Sequence, residues 1–195
     1  MNTKSDAPSS SKEFDKVYSS AFLHWLWGDT RIPKELQDLV ANNHPKTSLE
    51  LGCGLGRFSS FMAEQGIKAT GIDFSGVAIE KARKRIEDSL QKPSLLVGDV
   101  TNLAMLKEPF DVAFDIGCFH CLNEVDQQKY EQEVYRLLKP GATLLIWALN
   151  HAPIGIKLNP DYMARVFSAS FHLKKSAFSR RRIIGSHWYW LVRKD

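Results

Sequence analysis

Alternating glycines follow a short apolar segment near residue 50. Gly52, Gly54 and Gly56 come directly after residues 48–51, which suit a strand, and before residues 57–65, which suit a helix. Glycine has no Cβ, so the chain can turn tightly here and its backbone can approach a ligand closely. The first turn of the following helix offers unpaired N–H groups. This order of elements predicts a ligand-binding turn, with a purely structural turn as the alternative.

The residue that follows this turn excludes a dinucleotide as the ligand. Dinucleotide-binding turns have the pattern Gly-x-Gly-x-x-Gly, with Gly or Ala at the sixth position. Counting from Gly52, the sixth residue is Arg57. The pattern Gly-x-Gly-x-Gly suits a ligand without a pyrophosphate.

Strand-like and helix-like segments alternate through most of the chain. The strand candidates are residues 48–51, 68–73, 94–97, 111–116, 143–149, 171–178 and 186–192. Helix candidates at 57–65, 75–86 and 126–138 lie between the first and second, second and third, and fourth and fifth of these strands. Only a short basic segment joins the last two strands, which should pair antiparallel. This pattern predicts an α/β fold with a Rossmann-like, doubly wound, mostly parallel seven-stranded sheet and an antiparallel C-terminal hairpin.

The chain is predicted to form a single domain, residues 13–195, after a polar and Ser-rich tail at residues 1–12. Its 195 residues suffice for one sizeable core. Apolar residues recur at helical spacing over residues 14–27, and Pro33 suits the first turn of a second helix. We expect these N-terminal helices, within residues 13–45, to cover the ligand site.

Two acidic residues follow neighbouring strands. Asp73 ends the second strand candidate and Asp99 follows the third. Doubly wound sheets bind ligands at the carboxyl ends of their strands, near the switch point of the strand order. Asp73 can accept both hydroxyls of a ribose, and Asp99 can accept from an adenine amino group, with the Val100 N–H beside it. Either acid alone suits a surface residue or a helix cap, but both together with the glycine turn favour a ligand site.

Four motifs occur in order over residues 48–149. They are Glu50-x-Gly52-x-Gly54-x-Gly56, Gly71-Ile72-Asp73-Phe74-Ser75, Gly98-Asp99-Val100 and Leu138-Lys139-Pro140-Gly141. These motifs resemble those of class I methyltransferases, which use S-adenosylmethionine as the methyl donor and release S-adenosylhomocysteine. The resemblance implies that Glu50 organises the methionine amino end through water and that a carbonyl near residues 116–117 meets the methionine ammonium. The implied donor site comprises Glu50, Gly52, Cys53, Gly54, Gly56, Asp73, Phe74, Asp99, Val100, Ile116 and Gly117.

The flanking segments permit a narrower comparison. Residues 22–28, 115–122 and 185–191 are similar to small-molecule methyltransferases of the thiopurine and tellurite-resistance type, a thiol methyltransferase-like branch. Many members have Pro-Trp where this chain has Leu26-Trp27. The comparison implies an acceptor pocket formed by Trp25, Trp27, Phe119 and His120.

His120 is the candidate catalytic residue, because imidazole titrates in the range that a general base needs. The alternative is a residue at a helix start that bonds to backbone. Cys118 and Cys121 form Cys-x-x-Cys, a spacing found in metal and redox sites, but the chain has no second cysteine pair. We predict that one of these two thiols packs inward and that the pair forms no metal site.

Three functions fit these features. The leading prediction is methyl transfer to a small molecule with a thiol-like nucleophile or a small hydroxyl or amine group. RNA or protein methylation is the second, since residues 151–195 hold nine Lys or Arg against two Asp, although the Asn/Asp-Pro-Pro-Tyr/Phe segment typical of base methylation does not follow the fourth strand. A non-catalytic protein that binds S-adenosylmethionine is the third.

Composition bears on the compartment and the partners. Three cysteines without an export signal favour a reducing, cytoplasmic environment. No apolar run approaches the roughly 20 residues that cross a bilayer. We therefore predict a small-molecule acceptor and neither a membrane nor a nucleic acid as partner, with monomer and dimer both open.

Overall fold

The computed structural model describes residues 10–20, 31–153, 155–179 and 185–195. The helices are α1 (Ser11–Ser19), α2 (Lys34–Asn43), α3 (Arg57–Glu64), α4 (Gly76–Arg85), α5 (Glu124–Leu137) and α6 (Pro160–Val166), and a 3₁₀ helix spans Phe119–Cys121. The strands are β1 (Thr47–Leu51), β2 (Lys68–Asp73), β3 (Ser94–Val97), β4 (Phe110–Ile116), β5 (Leu138–Leu149), β6 (Phe171–Ser179) and β7 (Ser186–Arg193).

The seven strands form one sheet in the order β3-β2-β1-β4-β5-β7-β6. Strands β1 to β5 all pair parallel with one another. Strand β7 pairs antiparallel with both β5 and β6. The predicted fold class is therefore confirmed. The strand order reverses between β1 and β4, so the crevice for a ligand lies at the carboxyl ends of these two strands.

Apolar side chains cover both faces of the sheet. On one face Tyr130 of α5 and Phe167 after α6 join a large cluster that includes Ile146 of β5. On the other face Met62 of α3 packs with Trp147 of β5 in a second cluster, which also holds residues of α2. Successive residues of β5 face opposite sides of the sheet, which explains why residues 143–149 are nearly all apolar.

The first helix differs from the predicted one. Ser10 and Glu13 form a capping box, so α1 begins at Ser11, two residues inside the predicted tail. It ends at Ser19, and Ser20 is extended, so the helix expected over residues 14–27 stops early.

Two further differences from the predicted elements concern helices α5 and α6. The helix predicted over residues 126–138 ends at Leu137 as α5, because Leu138 already pairs with Phe110. Helix α6 was not predicted, although its signal is present in the sequence. Asn159 caps the Tyr162 N–H at 2.8 Å and Pro160 is the first helical residue.

The longest described helix, α5, has 14 residues. At about 1.5 Å per residue this is roughly 21 Å. Within the described ranges, no helix combines the length and the apolar character needed to cross a membrane.

Candidate active site

The glycine turn after β1 adopts backbone conformations that favour glycine. Gly52, Gly54 and Gly56 have φ of +71°, +50° and +62°. A Cβ on Gly52 would lie 2.3 Å from Cys118 Cβ, and one on Gly54 would lie 2.6 Å from Tyr18 Oη. The turn is therefore approached by a side chain of α1 and by one from the segment after β4.

The other two residues of the turn face the core. A Cβ on Gly56 would lie 3.0 Å from a methyl group of Leu95 in β3, so this glycine permits close packing. The Cys53 side chain is buried, with Sγ 3.0 Å from the point where a Cβ on Gly71 would stand. The Cα–Cβ direction at Gly56 and the side chain of Cys53 both lead into the core. Any contact of these two residues with a ligand must therefore come from their backbone.

Asp73 connects the glycine turn with the start of α4. Its Oδ2 accepts the Gly54 N–H at 2.8 Å and its Oδ1 accepts the Ser75 N–H at 2.9 Å. Burial raises the pKa of Asp73, and these two N–H groups oppose that rise. The Ser75 hydroxyl caps α4 by accepting the Ala78 N–H. Each carboxylate oxygen has two acceptor positions, so Asp73 retains capacity for ligand hydroxyls.

Glu50 of β1 is buried beside the same turn. Its Oε2 accepts both the backbone N–H, at 2.7 Å, and the hydroxyl of Ser59 in α3. No described residue donates to its other oxygen, Oε1. Burial raises the pKa of Glu50 to about 8, because a carboxylate loses its hydration there.

The raised pKa of Glu50 predicts a pH-dependent stability. The folded state holds the proton up to about pH 8, far above the ordinary value near 4.3. The free energy of unfolding should therefore fall as pH rises between these values. Glu50→Gln keeps an acceptor for Ser59 and cannot ionise. We expect the variant to gain about 2–3 kcal/mol relative to the wild type between pH 6 and pH 9.

Urea denaturation at both pH values measures this difference. The exposed Glu64, also on α3, provides the matched control. Glu64→Gln should follow the wild-type pH dependence. If the Glu50 variant also follows it, the buried carboxyl does not titrate as described.

Helix α1 lies over the turn and is tied to α4. Asp15 Oδ1 accepts the Ser75 hydroxyl at 2.5 Å and the Val77 N–H at 3.3 Å. The Lys81 ammonium donates to the Tyr18 carbonyl at 2.7 Å. An acidic side chain at the start of a helix is favourable, because the unpaired N–H groups lie there. Asp15 thus holds α1 next to Asp73.

Tyr18 was missed by sequence reasoning, which treated it as one apolar position of a helix. Burial is the main cause that raises the pKa of Tyr18, and the Asp73 charge adds to it. The hydroxyl is neutral and can donate or accept at the turn. Phe14 of the same helix packs on Phe74 at 5.0 Å between ring centroids, so the predicted donor-site residue Phe74 contacts α1.

Asp99 lies at the exposed end of β3. Its Oδ1 accepts the N–H and the hydroxyl of Thr101, both at 2.8 Å, which are local contacts of an exposed acid. The Val100 side chain is buried. A Cβ on Gly98 would lie 2.6 Å from Met105 Cε. Met105 was not predicted here, and its half-exposed side chain adds an apolar surface beside Asp99.

Asp115 orders the segment after β4. Its carboxylate accepts the N–H groups of Gly117, Cys118 and Phe119 at 3.1, 2.8 and 2.9 Å, and the Tyr130 hydroxyl at 3.0 Å. Burial raises the pKa of Asp115 to about 7, against these bonds. The segment bends here, with Gly117 at φ +106°, and this bend carries Cys118 onto Gly52.

Two of the predicted acceptor residues lie in the 3₁₀ helix. Phe119 is fully buried against Tyr130 and Phe167, so the structure places it in the core rather than on a wall that an acceptor reaches. His120 is also buried, and its Nδ1 lies 3.5 Å from the Leu149 N–H. Ile116, just before, is half-buried at the end of β4. Trp25 and Trp27 lie outside the described residues.

The two cysteines after β4 are thiols in this environment. Burial raises the pKa of Cys118 well above its usual value and that of Cys121 to about 12. In the part of the chain that is described, no cluster of three or more His, Cys, Asp or Glu side chains is placed to hold a metal ion.

An open cleft of about 550 Å³ lies between the start of α5 and the loop after β5. It is lined by Asn123, Glu124, Val125, Asp126 and Ile156. None of these was predicted as an acceptor residue. The cleft adjoins the 3₁₀ helix along the chain, since Asn123 lies two residues after the end of that helix.

The structure brings Glu50, the glycine turn, Asp73 and residues 116–118 together at the carboxyl edge of the sheet, with Tyr18 above them. A glycine turn after β1 and a buried acid at the end of β2, at the switch point of this strand order, form the kind of crevice in which this class of doubly wound fold binds ligands.

Comparison with known proteins agrees with this class. Residues 49–141 match the family model of a methyltransferase domain. Norajmaline N-methyltransferase from Rauvolfia serpentina is 32% identical over 60% of this chain and 41% of that protein. The tRNA N(3)-methylcytidine methyltransferase Mettl2 from Drosophila melanogaster is 30% identical over 73% of this chain and 47% of that protein. The chain thus covers less than half of the length of both relatives.

A solved structure shows the same fold. The N-methyltransferase NodS from Bradyrhizobium japonicum WM9, in complex with S-adenosyl-l-homocysteine, superposes with a TM-score of 0.78 over 96% of this chain and 100% of that chain, at 16% identity. Residues 49–141 thus match a methyltransferase domain, and the chain has the fold of an N-methyltransferase that binds S-adenosyl-l-homocysteine.

Proposed function

We propose that this protein transfers a methyl group from S-adenosylmethionine to a small-molecule acceptor. The contact that carries the proposal is that of Asp73 with the Gly54 N–H at 2.8 Å. This contact places a carboxylate with spare acceptor capacity beside a backbone that a ligand can approach, at the switch point of the sheet.

The residues of the crevice fit such a donor. Asp73 would accept the ribose hydroxyls, and the Gly52 and Gly54 backbones would lie along the methionine and ribose. Oε1 of Glu50 would accept, through water, from the ammonium end. A cationic ligand favours the ionised form of Glu50, whose pKa burial raises to about 8. Asp99, with the Val100 N–H, would meet the adenine.

The donor supplies an electrophilic methyl group on a sulfonium. The protein's part is to align the acceptor with that group and to exclude water. Helix α1 supports the second task, since Asp15 holds it over the turn and Tyr18 lies against Gly54. His120 would contact the acceptor from the 3₁₀ helix.

A small acceptor is favoured by this cover. Helix α1 is bonded to α4 and lies over the glycine turn, which favours an acceptor small enough to reach the crevice beneath this helix. One relative is named for N-methylation of norajmaline, a small molecule. A thiol remains within the proposed range, because a soft nucleophile needs little beyond alignment. The three free cysteines fit the reducing environment of the cytoplasm, where we place the protein.

A second candidate is RNA methylation. Another relative is named for methylation of tRNA, and β6 exposes Lys174 and Lys175 in a basic part of the chain. Lys175 lies 4.5 Å over the ring of Trp190. Lysines beside an aromatic ring can bind a nucleic-acid backbone and a base.

Methyl transfer with a labelled donor separates these candidates. The full chain is tested with low-mass amines, hydroxyl compounds and thiols in one arm, and with total tRNA in the other. We expect labelled small products and no labelled tRNA. Labelled tRNA, formed with a steep loss at higher salt, would establish the second candidate instead. Calorimetry with S-adenosylhomocysteine measures donor-site binding separately, and binding without any product would indicate a non-catalytic protein.

A further inference from the structure

Asn150 and His187 face each other at the edge of the sheet that carries the crevice. Asn150 directly follows β5, and its N–H donates to the Gly185 carbonyl at 2.9 Å. Leu149 of β5 pairs with Ser186, the first residue of β7. Because β7 runs antiparallel to β5, its start lies at the carboxyl end of β5, the same edge where β1 and β4 end.

The His187 ring is held on three sides. Its Nδ1 lies 2.6 Å from Asn150 Oδ1. Phe178 of β6 packs edge-on at 5.5 Å, and Tyr189 of β7 stacks at 5.9 Å with an interplanar angle of 25°. An amide oxygen can only accept, so Nδ1 carries the proton and Nε2 keeps its lone pair. No described residue donates to Nε2, and the side chain is only half-buried.

In His120, by contrast, the ring nitrogen Nδ1 accepts a hydrogen bond. The Leu149 N–H donates to its Nδ1 at 3.5 Å, so the proton of the neutral ring is on Nε2. Two consecutive residues, Leu149 and Asn150, therefore contact two imidazoles in opposite tautomers. His120 presents an N–H donor, whereas His187 presents a proton acceptor.

The surroundings keep His187 neutral. Burial lowers the pKa of His187. The groups that face its ring are Asn150 after β5, Phe178 from β6 and Tyr189 from β7. Only Tyr189 among them titrates, and burial raises the pKa of Tyr189 to about 12. Near pH 7 the described contacts of His187 are uncharged, and the ring is free to accept a proton.

We propose that His187, oriented by Asn150, is the general base that removes the proton from an amine or hydroxyl acceptor. This inference rests on the proposed function. The acceptor atom uses its lone pair to bond to the methyl carbon, the carbon–sulfur bond breaks, and its electron pair stays on sulfur. The acceptor proton passes to Nε2. The imidazolium keeps its Nδ1–H bond to Asn150 and returns the Nε2 proton to water.

Three variants test this role. His187→Gln removes the base, Asn150→Ala removes the group that orients it, and His172→Gln replaces an exposed histidine on β6 as the matched control. Rates with labelled donor are measured from pH 5.5 to 9 for amine, hydroxyl and thiol acceptors. S-adenosylhomocysteine binding is measured for each variant, to show that the fold and the donor site are intact.

For amine and hydroxyl acceptors we expect His187→Gln to lower kcat roughly 100-fold and to abolish the acidic limb of the pH profile. Thiol acceptors, which ionise themselves, should lose less than about threefold. Asn150→Ala should lower kcat for the same amine and hydroxyl acceptors about tenfold, while His172→Gln should match the wild type. Unchanged amine and hydroxyl rates in His187→Gln would overturn the inference.

Nitrogen-15 spectra of the histidine rings provide a readout that does not depend on turnover. The signal lost in His187→Gln should show the proton on Nδ1, and a proton on Nε2 would overturn the inference. A separate outcome would contradict the proposed function. A wild-type chain that does not bind S-adenosylhomocysteine contradicts the donor site, whereas a chain that binds and methylates with an unaffected His187 variant contradicts only the base.

Discussion

Gly52→Ala should destabilise the protein by about 3–4 kcal/mol, the largest effect expected of a single methyl group added at the described glycines. The added Cβ would lie 2.3 Å from Cys118 Cβ and 2.9 Å from its Sγ. A β carbon cannot swing aside as the tip of a flexible side chain can, so the segment after β4 must shift. Overpacking of this kind costs about 1–3 kcal/mol, and a φ of +71° adds about 1–2 kcal/mol for any residue with a Cβ.

Gly66 provides the matched control for this variant. It has φ +79°, and a Cβ placed there would have no atom within 4 Å. Gly66→Ala should therefore cost only the backbone contribution of about 1–2 kcal/mol. Chemical denaturation of both variants measures the difference. Adding Cys118→Gly to Gly52→Ala should restore part of the stability, because the next neighbour, Cys118 Cα, is at an ordinary 3.5 Å. Equal losses in the two alanine variants would show that Cys118 does not lie against the turn.

Asp73→Ala should weaken binding of S-adenosylhomocysteine at least about 100-fold, which corresponds to roughly 2.7 kcal/mol. The variant removes the acceptor of the Gly54 and Ser75 N–H groups as well as the expected acceptor of the ribose hydroxyls. Buried donors left without a partner cost about 1–3 kcal/mol each, so the turn should lose its shape even before the ligand binds. Calorimetry measures the affinity.

Two further substitutions keep this test decisive. Asp73→Asn preserves the shape and one acceptor oxygen, so it should bind more tightly than Asp73→Ala. Asp99→Ala removes an exposed carboxylate whose described contacts are both to Thr101, and it should weaken binding no more than about tenfold. An Asp73→Ala protein that is folded and binds within threefold of the wild type would contradict the donor site.

The strands of the sheet and the turns at their carboxyl ends could be predicted from the sequence, because their signals lie within short segments. Strands at residues 68–73 and 94–97 have the predicted bounds, since each is a short run rich in apolar residues between turn residues. The same holds for Ser75, whose cap bonds to a residue only three positions away. The missed helix α6 had such a local signal too, in Asn159-Pro160.

The contacts around the crevice are of another kind. Asp15 meets Ser75 across 60 residues, and Asn150 meets His187 across 37. No periodicity encodes such pairs, because they depend on where separate loops bring their side chains. Phe119 shows the same limit. Its neighbours in sequence suggested a pocket wall, but the bonds of Asp115 to the following N–H groups turn its ring into the core.

By itself the sequence determined the order of the seven strands, the glycine turn and the acid that ends β2, because periodicity, chain turns and strand ends are properties of short segments. Only the tertiary structure decided which side chains meet at that turn. Tyr18 and Cys118 reach the glycines from elements far apart in the chain, and two histidines with the same chemistry become a donor and an acceptor through their different partners at the end of β5.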